Sequence, residues 1–243
     1  MPRFYLPLPL TVGQRVTLPD TLAHHIQVLR LTEGDTISLF NGAGGQYTAT
    51  LREVARRSAS ADIDDHQAVE IELPFAVTLA QALPEASKMD WIIEKAMELG
   101  VSAIEPLAAQ RCVVRLSAER AEKKLTHWQA IIASAAEQCG RNRLATLAPP
   151  QDYKQWIARA PETAQPRIIL SPRATTSLAG WARAQPPQAV TLVIGPEGGL
   201  SDVEEDLALR HGALALSMGP RVLRTETAAL AAVAVLSAAW GGM

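Results

Sequence analysis

Cysteine is scarce: Cys112 and Cys139 are the only two among 243 residues. Two thiols cannot make a disulfide framework. Without CxxC spacing or a companion histidine cluster, they do not read as a zinc site either. Long apolar runs are also missing. The longest, Ala228 to Trp240, has 13 residues, whereas a bilayer span needs about 20. It predicts a buried helix. The first ten residues, MPRFYLPLPL, are broken by Pro7 and Pro9 and lack a signal-peptide apolar stretch. These absences lead us to expect a cytoplasmic protein in a reducing compartment, with no membrane and no metal. Charge of one sign is not in excess. The 23 Lys+Arg against 25 Asp+Glu leave a net −2, which offers no global attraction to phosphate. Two nucleotide motifs are absent as well. No lysine follows Gly198-Gly199 as a P-loop requires, and Tyr47 stands where GxGxxG from Gly42 needs its last glycine.

What is present is a core. Apolar residues make up 48% and charged residues 20%, which excludes disorder as the dominant state. The first seventy-odd residues predict short strands at 16–18, 36–40, 47–51 and 69–73, with one helix over 21–30. Asn41 to Gly45 can supply positive φ and predicts a hairpin turn. From residue 77 strands alternate with long helices. Strands are predicted at 77–80, 104–107, 167–170, 190–194 and 213–216. Helices are predicted at 87–99, from Ser117 to Cys139, from Ser201 to near Gly212, and from Thr225 onward. Ser201-Asp202-Val203-Glu204 has the capping-box pattern. Alternation of this kind predicts an α/β domain with a mostly parallel sheet over 74–243, following a small β domain over 1–73.

Two segments carry chemistry. In Ile194-Gly195-Pro196-Glu197-Gly198-Gly199 an apolar strand runs into a glycine loop and then a capped helix, where ligands collect in open α/β sheets. In Leu216-Ser217-Met218-Gly219-Pro220-Arg221-Val222-Leu223-Arg224-Thr225-Glu226-Thr227 a second strand ends in a Gly-Pro turn with two arginines at a helix mouth. Thr225 reads equally well as a ligand contact or as a plain helix cap.

These two segments resemble the hallmark motifs of SPOUT-class S-adenosylmethionine-dependent RNA methyltransferases. More closely, the chain is similar to the bacterial 16S ribosomal RNA uridine N3-methyltransferase family (RsmE). HHIQVLRLTEGD, KMDWIIEKAMELGV and EQCGR fit that family too, so the resemblance covers essentially the whole chain. It implies a PUA-like β-barrel over 1–73 that binds RNA. It also implies a SPOUT α/β domain with a deep trefoil knot over 74–243, a homodimer, and S-adenosyl-L-methionine as cofactor. The cofactor loops would supply Leu170, Ile194, Gly195, Glu197, Gly198, Gly199, Leu216, Met218, Gly219, Leu223, Arg224, Thr225 and Thr227.

Uracil N3 carries a proton, so its reactive form is close to the anion. An arginine would stabilise the developing charge but is too basic to take the proton. Arg221 and Arg141 are the expected catalytic pair. Glu197, Glu226 or water could accept the proton. Partition of charge sharpens the RNA reading. Residues 1–73 hold six basic and nine acidic groups, net −3. Residues 111–143 hold seven basic and three acidic, net +4. Arg111, Arg115 and Arg143, with Arg3 and Arg30 in the barrel, are expected to meet 16S ribosomal RNA within the small subunit. Other SPOUT activities, such as ribose 2′-O-methylation, stay open, as does a non-catalytic ribosome-assembly role.

Overall fold

The computed structural model describes residues 1–159 and 165–243, which form two units. The first comprises Met1–Glu72 together with Ala136–Leu144. The second comprises Leu73–Ala135 and Ala145–Met243.

The first unit holds β1 (Arg3–Tyr5), β2 (Arg15–Leu18), α1 (Asp20–Val28), β3 (Thr36–Phe40), β4 (Gln46–Val54) and β5 (Ala59–Gln67). Its sheet runs β1-β3-β4-β5-β2, with β1 parallel to β3 and the other pairs antiparallel. Alternate residues turn inward, so Val16, Leu18, Ile37, Leu39, Leu51 and Ile63 meet Leu22 and Ile26 of α1 in one core. The turn between β3 and β4 is the expected glycine hairpin. At Gly44, φ is 110°, a backbone conformation that residues with a Cβ rarely adopt.

Two expectations are corrected here. β5 was not predicted, because ASADIDDHQ is rich in aspartate and poor in β-formers. It is held by pairing with β4 along its length. Conversely, the strand predicted over 69–73 does not form. Its alternating carboxylates serve side-chain contacts instead. Glu72 pairs with Arg141, Glu70 lies 3.4 Å from Arg143, and Asn142 Nδ2 donates to the Val69 carbonyl at 2.5 Å. These contacts tie the 136–144 segment into the first unit.

The second unit contains β6 (Val77–Ala82), α2 (Lys88–Glu98), β7 (Ala103–Ala108), α3 (Ala118–Cys139, whose last residues belong to the first unit), β8 (Thr146–Leu147) and β9 (Gln151–Asp152). There follow α4 (Tyr153–Ala158), β10 (Arg167–Leu170), α5 (Leu178–Arg183), β11 (Val190–Ile194), α6 (Asp202–Arg210), β12 (Leu214–Leu216) and α7 (Thr225–Trp240). The sheet is parallel throughout, in the order β12-β10-β11-β6-β7-β8, with β9 also on β7. Every residue of β11 is buried, as a central parallel strand covered on both faces requires. α7 packs on α2 and α5, while α4 packs on α6. Val233, Leu236 and Trp240 of α7 are consumed by this core. Trp240 meets Phe75 edge-on at 4.9 Å and donates to the Ala182 carbonyl at 2.8 Å. Among the described residues no helix is long and apolar enough to cross a membrane.

The edge pair β2–β5 carries a cluster whose stability depends on pH. Arg15 Nε lies 2.6 Å from Asp62, and Arg52 lies 2.8 Å from its other oxygen. The Arg15 hydrogen bond, with help from Arg52, holds the Asp62 carboxyl down at about 2 from an ordinary 3.8. A depressed folded-state pKa stabilises above the unfolded value, and that stability is lost as pH falls through the folded one. Asp62→Asn is therefore expected to flatten the fall in thermal midpoint between pH 3.8 and about 2. Thermal scans of both proteins across that window check this.

Candidate active site

The carboxyl ends of β10 and β11 open onto a cavity of about 350 Å³. Leu170, Ile194, Val222 and Leu223 supply its apolar lining, and Gly195 to Leu200 supply a backbone wall. Thr225 and Ala228, at the start of α7, close one side, while Arg111, Arg173, Asp202 and Glu205 make a charged rim.

The glycine wall is folded tightly. A Cβ on Gly195 would stand 2.8 Å from the Leu200 amide nitrogen and 2.9 Å from Gly199 C, both backbone atoms that cannot turn aside. Gly199 adopts φ +67° with nothing within 4 Å of its missing Cβ, so its backbone faces open space. The Gly199 amide closes the turn on the Pro196 carbonyl at 2.8 Å.

The wall is tied from three directions. Thr225 Oγ1 donates to the Gly195 carbonyl at 2.6 Å and accepts from Gln81 Nε2 at 3.0 Å. This settles its part: Arg224 stands at the N-cap, and Thr225 braces the loop against β6 rather than capping its helix. Arg111 Nη1 donates to the carbonyls of Gly198 (2.8 Å) and Leu200 (3.2 Å). From the helix side, the capping box expected at Ser201 forms in full. Its Glu204 is almost wholly buried, yet the carboxylate accepts from Ser201 N–H, Ser201 hydroxyl and the Gln110 amide. A buried carboxylate so satisfied holds the 110–111 turn beside the glycine wall.

Three ion pairs set the local charge. Arg173, in the loop after β10, reaches Asp202 at 2.9 Å and also pairs with Glu205. Lys88 Nζ lies 2.5 Å from Glu197 Oε1, which accepts as well from the Glu85 amide at 3.1 Å. Burial raises the Glu197 carboxyl, but Lys88 and the backbone donors outweigh it and leave the group below its usual range. Cys112 is buried, and burial pushes its thiol up, so it is a poor nucleophile.

A family model described as RNA methyltransferase domain matches residues 71–237, and one described as RNA methyltransferase PUA domain matches 18–64. Ribosomal RNA small subunit methyltransferase E of Buchnera aphidicola (from Schizaphis graminum) is 31% identical over 100% of this chain and 98% of its own. The Synechocystis protein of that name is 36% identical over 92% and 73%. The chain belongs to the ribosomal RNA small subunit methyltransferase E family. It is a methyltransferase, with a PUA-like unit followed by a SPOUT α/β unit. A solved family structure from Neisseria gonorrhoeae, bound to S-adenosyl methionine, superposes with a TM-score of 0.91. It is 38% identical and covers 99% of this chain and 98% of that one.

Of the residues expected around the family's cofactor, Leu170, Ile194, Gly195, Glu197, Gly198, Gly199, Leu223 and Thr225 line the cavity. Leu216, Met218, Gly219, Arg224 and Thr227 do not line it, although Gly219 does adopt φ +101° with open space beside it. Arg111, expected to meet RNA, lines the cavity instead. Arg221 is exposed in the loop after β12, outside the lining. Arg141, the other arginine expected to be catalytic, lies in the 136–144 segment of the first unit. It is 2% exposed and its Nε lies 3.0 Å from Glu72 Oε1. Arg3 is likewise committed: its guanidinium donates to Gln46, the Arg141 carbonyl and Asn142, and covers the Phe40 ring at 4.1 Å. Arg30, Arg115 and Arg143 are exposed. Sequence reading missed Pro172, Arg173, Asp202, Glu205 and Val222. Arg173 was findable, because Ser171 to Ala174 directly follow a parallel strand's carboxyl end.

The Thr225 bridge yields a stability test. Thr225→Val leaves the buried Gln81 amide and Gly195 carbonyl without their shared partner, at a cost of about 1–3 kcal/mol. Thr225→Ser should recover most of it. Chemical denaturation of the two variants beside the parent measures the difference.

Proposed function

We propose that this chain transfers a methyl group from S-adenosylmethionine to N3 of one uridine in 16S ribosomal RNA of the small subunit. The observation that carries this is the cavity over β10 and β11, glycine-walled and apolar, in a chain so similar to a family member bound to that cofactor. Its volume of about 350 Å³ falls within the range of small-molecule sites. The residues fit the group. Leu170, Ile194 and Leu223 offer apolar faces to an adenine ring, and the backbone bared at Gly199 can hydrogen-bond its edge. When bound, the cofactor supplies a methyl carbon already activated by a sulfonium. The chain's own task is therefore to hold, orient and stabilise.

Arg221 is the electrostatic group of this proposal. Its guanidinium remains charged at any working pH, so near the uracil carbonyls it would favour the anion-like form of the base. Arg141 takes part by positioning. Tied to Glu72, it fixes the segment that presents Arg143. Arg30, Arg115 and Arg143 would meet RNA phosphates, whereas Arg3 supports the barrel and Arg111 supports the glycine wall. The reading includes a cytoplasmic homodimer with a deep trefoil knot, and no metal. For the knot, support comes from the family and from the Ser217 amide donating to the Thr176 carbonyl at 2.9 Å, which lays the loop after β12 against the segment after β10. For the dimer, it comes from the family and from the half-buried Leu230 and Val235 of α7.

Methyl transfer to small subunits from cells lacking this protein, followed by mass mapping, is expected to place one methyl on a uridine N3. Arg221→Ala should lower turnover about 100-fold with cofactor binding intact by calorimetry. Full turnover in Arg221→Ala would sink the electrostatic assignment. Gly195→Ala is expected to weaken cofactor binding at least about tenfold, because its Cβ forces the wall open. Calorimetry of that variant with S-adenosylmethionine checks it.

A further inference from the structure

Eight arginines and no lysine fall within the first unit. Five of them have partners inside it. Arg3 donates to Gln46 and Asn142, Arg15 and Arg52 share Asp62, Arg141 pairs with Glu72, and Arg143 has Glu70 at 3.4 Å. The guanidinium groups of Arg30, Arg56 and Arg57 hold no partner among the described residues, and all three residues are exposed. We propose that these three form a phosphate-binding patch on which the backbone of the ribosomal RNA substrate docks, an inference that rests on the function reading above.

The fold collects them at one end of the unit. α1 closes in a Schellman turn. Arg30 N–H donates to the Gln27 carbonyl at 2.9 Å and Leu31 N–H to the Ile26 carbonyl at 3.0 Å, while Leu31 packs on the core that holds Ile26. Between β4 and β5, Ala55 N–H donates to the Ser58 carbonyl at 2.8 Å, which makes Arg56 and Arg57 the two central residues of a tight turn. Gln27 Nε2 donates to the Ala55 carbonyl at 2.6 Å, so helix end and turn are tied to each other.

The backbone at Arg30 gives an independent pointer. Its φ is +58°, one of two positive values among the described non-glycine residues. This position after a helix usually belongs to glycine, because a Cβ is strained there. Folding alone would favour glycine, so what the arginine adds is its guanidinium. A guanidinium is a planar fork that grips a phosphate through two N–H groups, where lysine offers only a point charge. Nor do the neighbours repel an anion at close range. Val28 and Leu29 are apolar and 63% and 44% exposed, and Asp35 is turned onto the Thr32 amide and hydroxyl. Glu33 and Glu53 are exposed and make no ion pair with the three arginines. With residues 1–73 at net −3, a polyanion is steered to the few cations left unpaired.

The test measures affinity for unmethylated small subunits between about 50 and about 200 mM salt. Each phosphate contact contributes about 0.7–0.9 to the slope of log affinity against log salt. The triple variant Arg30→Gly, Arg56→Ala, Arg57→Ala is therefore expected to flatten that slope by about 2–3. It should raise KM for the subunit with kcat kept, since the contacts serve binding alone. Arg30→Gly by itself should lower the slope by about one contact while its thermal midpoint equals or exceeds the parent's, because glycine relieves the backbone. A merely structural arginine would move that midpoint down. Arg15→Ala removes the same charge from the same unit and should leave the slope as it was.

A parent-like slope in the triple variant overturns the patch, as does lost affinity at an unchanged slope. So does loss of parent binding to phosphatidylserine vesicles in the triple variant with subunit binding intact, which would make the patch a membrane contact. If the parent binds subunits with a slope that the variants lower, yet leaves uridine N3 unmethylated, the patch stands and the function reading falls.

Discussion

The hydroxyl of Thr225 joins three parts of the chain that are distant in sequence. It accepts from Gln81 at the end of β6, donates to Gly195 at the end of β11, and belongs to the first turn of α7. All of this happens where Thr225 is 5% and Gln81 0% exposed. Water cannot substitute for a missing partner there, so the three segments are obliged to keep one arrangement. The shape of the glycine wall and the position of Val222 and Leu223 just before the helix depend on that obligation.

Around this bridge the site is assembled from opposed charges placed at the rim and apolar groups placed inside. Arg111 spends its guanidinium on the carbonyls of Gly198 and Leu200, and Arg173 spends its own on Asp202 and Glu205. These are arginines of the protein's own scaffolding. The exposed Arg221, by contrast, makes no ion pair among the described residues. A basic residue's worth to RNA or to a base thus depends on what it already holds, and sequence position does not show that. Arg3 and Arg141 make the same point in the first unit. Both look like loop arginines in the chain, and both are consumed by partners within the fold.

Much of the second unit was legible because its signals are local. The predicted bounds at 167–170 and 190–194 coincide with β10 and β11, since short apolar runs between turn residues have few alternatives. Ser201 with Glu204 announced a capping box that needs only four consecutive residues. Failures came where distant partners decide. The polar β5 is a strand because β4 lies beside it, and the apolar-alternating 69–73 is not one because its glutamates found arginines some seventy residues away. The +4 cluster over 111–143 was an average as well: Arg141 and Arg143 fold with the first unit, Arg111 with the glycine wall.

By itself, the sequence determined the local pieces: a hairpin at the Asn41–Gly45 turn, capped and glycine-stopped helices, apolar strands, two loops able to approach a ligand, and motifs specific enough to resemble one family. Periodicity and turn chemistry act over a few residues, so they can be read from a few residues. Tertiary structure decided which of those pieces meet. It put Leu170, Ile194 and Leu223 around one cavity, brought Arg111 and Arg173 to its rim, and buried Arg141 against Glu72. The physical reason is that burial and hydrogen-bond satisfaction belong to pairs of groups, and a pair separated by a hundred residues exists only once the chain has folded.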